Sequence, residues 1–282
     1  LCRADLGDGQ EKFCLRKIKS RKLAAPTAAV TFVTAALLLL AVLGGTQAIA
    51  NTRTWGNVGT DFATDANWLG GTAPADNTTS DIGAFGDATV TNNPVFTADR
   101  SINGLQFNTG AAAWTFTGSG GTRTLTLGSG GITNNSANTQ TFSASGLQLA
   151  LGTDLTFAAT SGALAIDSAV NIGAQTLTLS GASGGSTIAG VVSGTGDLTK
   201  TGAGTWTLSG ANTYSGATVV SAGNLVLSNT GGEALGNTSS IQVNSGATLA
   251  LGANNQIGSS TGLILNGGTF VVGTASAGYS DS

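Results

Sequence analysis

Residues 147–179 read LQLALGTDLTFAATSGALAIDSAVNIGAQTLTL. Apolar residues recur at alternate positions, as Leu147/Leu149/Leu151, Leu155/Phe157, Leu164/Ile166, Val170/Ile172 and Leu177/Leu179. Period two is the mark of a strand with one buried and one wet face. The pairs begin at 147, 155, 164, 170 and 177, so successive strands start only six to nine residues apart. That spacing excludes βαβ units, whose crossovers alone need about a dozen residues. Sandwiches, hairpin barrels and solenoids remain.

The same pairs extend outward in both directions. Upstream lie Leu105/Phe107, Trp114/Phe116 and Leu125/Leu127. Downstream lie Trp206/Leu208, Leu225/Leu227, Ile241/Val243, Leu249/Leu251 and Leu263/Leu265. The residue inside a pair is often threonine, as at Thr115, Thr126, Thr178 and Thr207, which suits an outward strand position. Glycine, 44 of 282 residues, fills the gaps, as in Gly128-Ser129-Gly130-Gly131. Three strands of this length make a coil of roughly 20–25 residues, which is within the solenoid range. Stacked coils would set like on like and join the inward Leu, Ile and Val into columns. A sandwich more typically has longer strands and fewer glycines. The expectation is an all-β chain, a right-handed parallel β-helix (β-solenoid) over 101–282.

Composition narrows the function. Seven of the 11 Lys and Arg lie in residues 1–22, leaving Arg53, Arg100, Arg123 and Lys200 beyond residue 50 against 11 acidic residues, a balance of −7. No basic stripe can form there, so nucleic acid is not an expected partner. The chain has no His, and Cys2 and Cys14 both precede residue 50. Ser-His-Asp chemistry, histidine metal sites and cysteine metal sites in the body are thereby excluded, and no cofactor is expected. Gly194-Thr195-Gly196-Asp197 matches a calcium nonapeptide only in outline and occurs once, so it reads as a corner.

Carboxylates are the one opening for catalysis, since paired acids cleave glycosidic bonds. Asp61, Asp65, Asp76, Asp81, Asp87 and Asp99 cluster between 61 and 99, while Asp154, Asp167, Asp197 and Glu233 are scattered. No two acids are adjacent, and turn chemistry explains Asp at such positions. The reading is non-enzymatic, with a β-helix polysaccharide-degrading enzyme as an alternative.

The N-terminus carries an export signal. Basic residues 16–22 precede the apolar run Ala28 to Leu43. Gly44-Gly45 follows, and Ala48-Ile49-Ala50 gives the small-x-small cleavage pattern. A signal-peptide helix within 1–50 is expected, with a retained membrane anchor as the alternative. Both readings place the body outside the cytoplasm. Leu1 is not a start residue, so the chain reads as a fragment.

Residues 51–100 lack the alternating pairs and instead carry Trp55, Phe62, Trp68, Phe85 and Phe96. They read as an N-terminal cap covering the first coil's apolar end. Exposed Trp55 and Trp68 would alternatively stack on surface glycans and make a carbohydrate-binding head, and an adhesin or carbohydrate-binding surface protein would use either this segment or the coil faces.

Residues 194–227 read GTGDLTKTGAGTWTLSGANTYSGATVVSAGNLVL. Gly194-x-Gly196-x-Leu198-x-Lys200-x-Gly202, then Gly204-x-Trp206-x-Leu208-x-Gly210, Asn212-Thr213-Tyr214-x-Gly216 and Gly223-x-Leu225 stand in order. This closely resembles the passenger-associated transport repeat, also called the autotransporter-associated β-strand repeat. The resemblance implies a β-helical stem of a surface-exposed or secreted passenger. Such a stem would cross the outer membrane by type V secretion with an outer-membrane translocator, and would assist its own assembly. The family's C-terminal barrel is not in this sequence, which stops soon after a strand. Read physically, Gly202 and Gly204 form a corner, Asn212 and Gly216 form another around Tyr214 with its hydroxyl wet, and Lys200 points to solvent.

Overall fold

The computed structural model describes residues 50–86, 88–90 and 92–273. The expected signal helix falls within residues 1–49, outside them. The described residues form 22 strands and one short 3-10 turn, Asp65–Asn67, and every ladder between strands is parallel. The expected all-β parallel solenoid is what the chain forms, with about nine turns.

Each turn visits three faces in the same order. The first face holds the opening halves of Arg100–Phe107 and Arg123–Asn134, then Leu147–Leu151, Ala169–Gly173 and Val192–Gly194. The second runs from Asn51–Thr54 and Asp81–Phe85, through the closing halves of those two long strands, to Leu155–Ala159 and Leu177–Gly181. It continues with Leu198–Lys200, Thr218–Val220, Ser240–Asn244 and Gly262–Asn266. The third runs from Val95–Phe96 to Thr269–Val272 and includes Ser186–Ile188, Thr205–Leu208, Gly223–Leu227 and Ala247–Leu251. Beyond Gly194 the first face is reduced to single bridges, Asn212 to Leu235 and Leu235 to Ile257.

Register gives the coil length directly. Leu177, Leu198, Thr218, Ile241 and Leu263 are stacked partners, 21, 20, 23 and 22 residues apart. Nearer the N-terminus Leu105, Ile132, Phe157 and Leu179 are 27, 25 and 22 apart. The inward side chains form continuous columns, such as Ile188–Leu208–Leu227–Leu251–Val272 on the third face. Burying a Leu, Ile, Val or Phe side chain contributes about 1.5–3 kcal/mol, and nearly every turn buries several. Outward threonines stack likewise, Thr156–Thr178–Thr199 on the second face and Thr187–Thr207 on the third.

Residues 51–100 do not stand apart from this stack. Gly83 pairs with Leu105 and Phe85 with Phe107, so the ladders run across residue 100 without a break. The segment's aromatics fill the coil interior. Trp55 meets Trp68 edge-on at 5.1 Å, Phe62 meets Phe96 at 4.6 Å, and Phe116 stacks on Phe142 at 4.8 Å one layer further in. Alternating Leu pairs are missing here because rings of this size fill the coil instead.

Candidate functional site

The motif at 194–227 spans more than one full turn, and its residues hold adjacent turns together. The chain leaves the second face through Gly202, whose φ of +70° is a conformation that favours glycine. A Cβ there would lie 2.6 Å from the carbonyl oxygen of Gly181 in the turn before. Gly181 and Gly223 occupy the same corner one turn either side, also with positive φ (+104° and +65°). Trp206 then points inward from Thr205–Leu208, stacked between Ser186 and Leu225, and its Nε1 donates to the Ser180 carbonyl at 3.0 Å.

Asn212 takes over where the first face has lost its strand. Its Oδ1 accepts from the Val192 amide at 2.8 Å, and its Nδ2 donates to the Ala234 carbonyl at 2.9 Å. One buried side chain thus bonds the turn before it and the turn after it, replacing part of the backbone ladder.

Tyr214 differs from the sequence expectation. Its hydroxyl is not wet: the residue is buried, and the oxygen lies 2.6 Å from Thr218 Oγ1. Thr218 Oγ1 is in turn 3.1 Å from Thr238 Oγ1, which donates to the Gly216 carbonyl at 2.6 Å. Thr218 occupies an inward column position between Leu198 and Ile241, so this chain of hydroxyls satisfies a polar group inside the core. Burial, the main cause, pushes the Tyr214 pKa well up.

Lys200 is the larger correction. It does not point to solvent. Its relative exposure is 0%, and it stands in an inward column between Leu179 and Val220. The ammonium reaches the corner and donates to the carbonyls of Thr201 at 2.6 Å, Gly202 at 2.9 Å and Ala222 at 3.0 Å. Two of these belong to its own turn and the third to the next. All three ammonium protons have acceptors, and desolvation lowers the pKa to about 8.

Trp55 and Trp68 offer no face to a sugar. They are 1% and 2% exposed, packed against each other and Phe62, with their indole N–H groups donating to the carbonyls of Asn92 and Phe62. The loop that brings Trp68 back against Trp55 closes both rings off from solvent.

Four of the carboxylates serve as acceptors between turns. Asp76 accepts from the Ser101 amide (2.6 Å), Asp99 from Thr124 (2.9 Å), Asp154 from Thr176 (2.7 Å) and Asp197 from Ala217 (2.7 Å). Asp99, Asp154 and Asp197 each stand just before a strand, opposite the amide they bind. This role was missed from sequence, although an acid immediately ahead of a Leu-rich strand was a usable signal. Among the described residues no three His, Cys, Asp or Glu side chains are grouped to hold a metal ion.

No curated protein and no solved structure gives a match to the chain. A family model does: the Passenger-associated-transport-repeat matches residues 198–227, the stretch that holds Lys200, Trp206, Asn212, Tyr214 and Thr218.

Proposed function

We propose that this chain is a non-enzymatic passenger or stem module of a secreted or surface-exposed, autotransporter-like protein, and that stacking of its coils aids its own secretion and folding. The observation that carries this reading is the coincidence of the family match with an inter-turn lock. The matched residues 198–227 include Lys200, Asn212 and Tyr214, and each of them bonds across turns or inside the core. A solenoid in which each turn pairs only with its neighbours can assemble turn by turn as the chain emerges. A body without cysteine beyond residue 14 forms no disulfide that would impede threading through an outer-membrane translocator.

The adhesin reading loses Trp55 and Trp68 as stacking faces and rests on the coil faces alone, and the acids described above are engaged with backbone amides. The test is export. The full chain, joined to an outer-membrane translocator in a Gram-negative host, should reach the surface, as read by protease accessibility in intact cells. Deleting 194–227 should leave it in the periplasm. Undiminished surface display of the deletion would refute the proposal.

A further inference from the structure

A solenoid built from near-equivalent coils faces a recognition problem, because any coil's apolar columns can pack on any other's. The two inward columns of the second face read Leu177–Leu198–Thr218–Ile241–Leu263 and Leu179–Lys200–Val220–Val243–Leu265. Aliphatic positions there do not distinguish the right neighbour from a skipped coil or from a coil of another molecule. Lys200 is the one charge in these columns. The strands around it, Leu177–Gly181, Thr205–Leu208, Thr218–Val220 and Gly223–Leu227, carry no charged residue. Asp197, the nearest acid in sequence, is engaged with the Ala217 amide. Tyr214 is the only other titratable group in the matched stretch, and its hydroxyl is bonded to Thr218.

We propose that Lys200 selects the coil that stacks on its own, because its ammonium can be buried only where the following corner presents the Ala222 carbonyl. Thr201 and Gly202 supply two acceptors from its own turn, and the third must come from the neighbour. The corner after Thr218–Val220 places Gly223 three residues beyond Val220. One turn later Ala247, the partner of Gly223, lies four residues beyond Val243. The coil at 240–251, docked in place of the right one, therefore meets Lys200 with a longer corner and a displaced carbonyl, and buries a charge without its third acceptor. Burying an incompletely bonded charge is strongly unfavourable, and single buried polar groups of this kind fix register in other repetitive packings.

The inference rests on the turn-by-turn assembly read above. Its test is refolding of the purified full chain, which involves no secretion, so its failure leaves the export reading to the export assay. Wild type, Lys200→Leu and Val220→Ala are refolded from urea across a range of concentrations, and monomer and oligomer are separated by size with light scattering. Leucine continues the aliphatic column, so Lys200→Leu should fold at high dilution. As concentration rises, its oligomer-to-monomer ratio should exceed that of wild type about tenfold. Val220→Ala weakens the same seam but keeps the cation, and should stay monomeric like wild type. Three outcomes would overturn the proposal. These are a Lys200→Leu chain as monomeric as wild type, a Val220→Ala chain that oligomerises equally, and a Lys200→Leu chain that fails to fold even at high dilution.

Discussion

Replacing Lys200 by methionine removes three hydrogen bonds from the interior and leaves the carbonyls of Thr201, Gly202 and Ala222 without that donor. An unsatisfied buried carbonyl costs about 1–3 kcal/mol. This corner is half-buried, so water can reach part of it and the lower end applies. Three carbonyls then amount to about 3 kcal/mol, from which the relief of not burying a charge must be subtracted. The expected loss at pH 7 is about 1–2 kcal/mol.

The effect of pH distinguishes this account from simple loss of packing. Folding lowers the Lys200 pKa from 10.5 to about 8, so between those values the folded chain binds fewer protons than the unfolded one. Stability therefore rises with pH across that window, by at most about 3 kcal/mol at 1.36 kcal/mol per unit. Methionine has no such term, so the gap between the two proteins should widen from pH 7 to pH 10. Hydrogen exchange of peptides within 198–227, followed at pH values corrected for intrinsic exchange, reads the local opening free energy. A Lys200→Met protein at least as stable as wild type at pH 7, or a gap that narrows as pH rises, would refute the reasoning.

Tyr214 carries the opposite sign. Its pKa is raised on folding, so the stability from the buried phenol is present below about pH 10 and lost above it as the unfolded tyrosine ionises. Tyr214→Phe should cost about 1 kcal/mol near neutrality and abolish that alkaline loss in urea titrations followed by tryptophan fluorescence. Asn212→Ala removes bonds to Val192 and Ala234 and should cost about 2 kcal/mol, with faster exchange at both partner turns. Gly202→Ala puts a Cβ at positive φ and 2.6 Å from the Gly181 carbonyl oxygen. It should lower the melting temperature measurably, whereas alanine at Gly184, which has open space around it, should not.

Much of the fold is legible as alternation. Leu177/Leu179, Leu225/Leu227 and Leu249/Leu251 declare strands because their neighbours Thr178, Val226 and Ala250 face outward; the narrow spacing of such pairs excludes βαβ units, and the short strands and abundant glycine favour coils over a sandwich. The strands Val192–Gly194 and Thr218–Val220 carry no such Leu pair, and the partners that fix them lie 20 or more residues away in register. Lys200 shows where residue chemistry misleads and periodicity does not. A charge suggests an outward position, yet Lys200 stands two residues after the inward Leu198, and the period of two places it inside. What local sequence does not encode is the set of corner carbonyls that makes burial tolerable. Tyr214 is similar, since its acceptor Thr218 is itself an inward residue that apolar patterning passes over. Trp55 and Trp68 are buried by a loop closing on itself, through the Trp55 to Trp68 bridge, and no repeat announces that.

Residues about 20 apart in sequence lie side by side in parallel register. Thr178 and Thr199 are outward partners in adjacent turns, and Val219 is the partner of Thr199 in the turn after. Adjacent strands are about 4.8 Å apart, within disulfide reach, and strands two turns apart are about 10 Å apart and beyond it. With Cys2 and Cys14 replaced, Thr178→Cys paired with Thr199→Cys should oxidise to an intramolecular disulfide in the folded protein, and Thr178→Cys paired with Val219→Cys should not. Ready cross-linking of 178 to 219 without cross-linking of 178 to 199 would contradict the stacked-coil account.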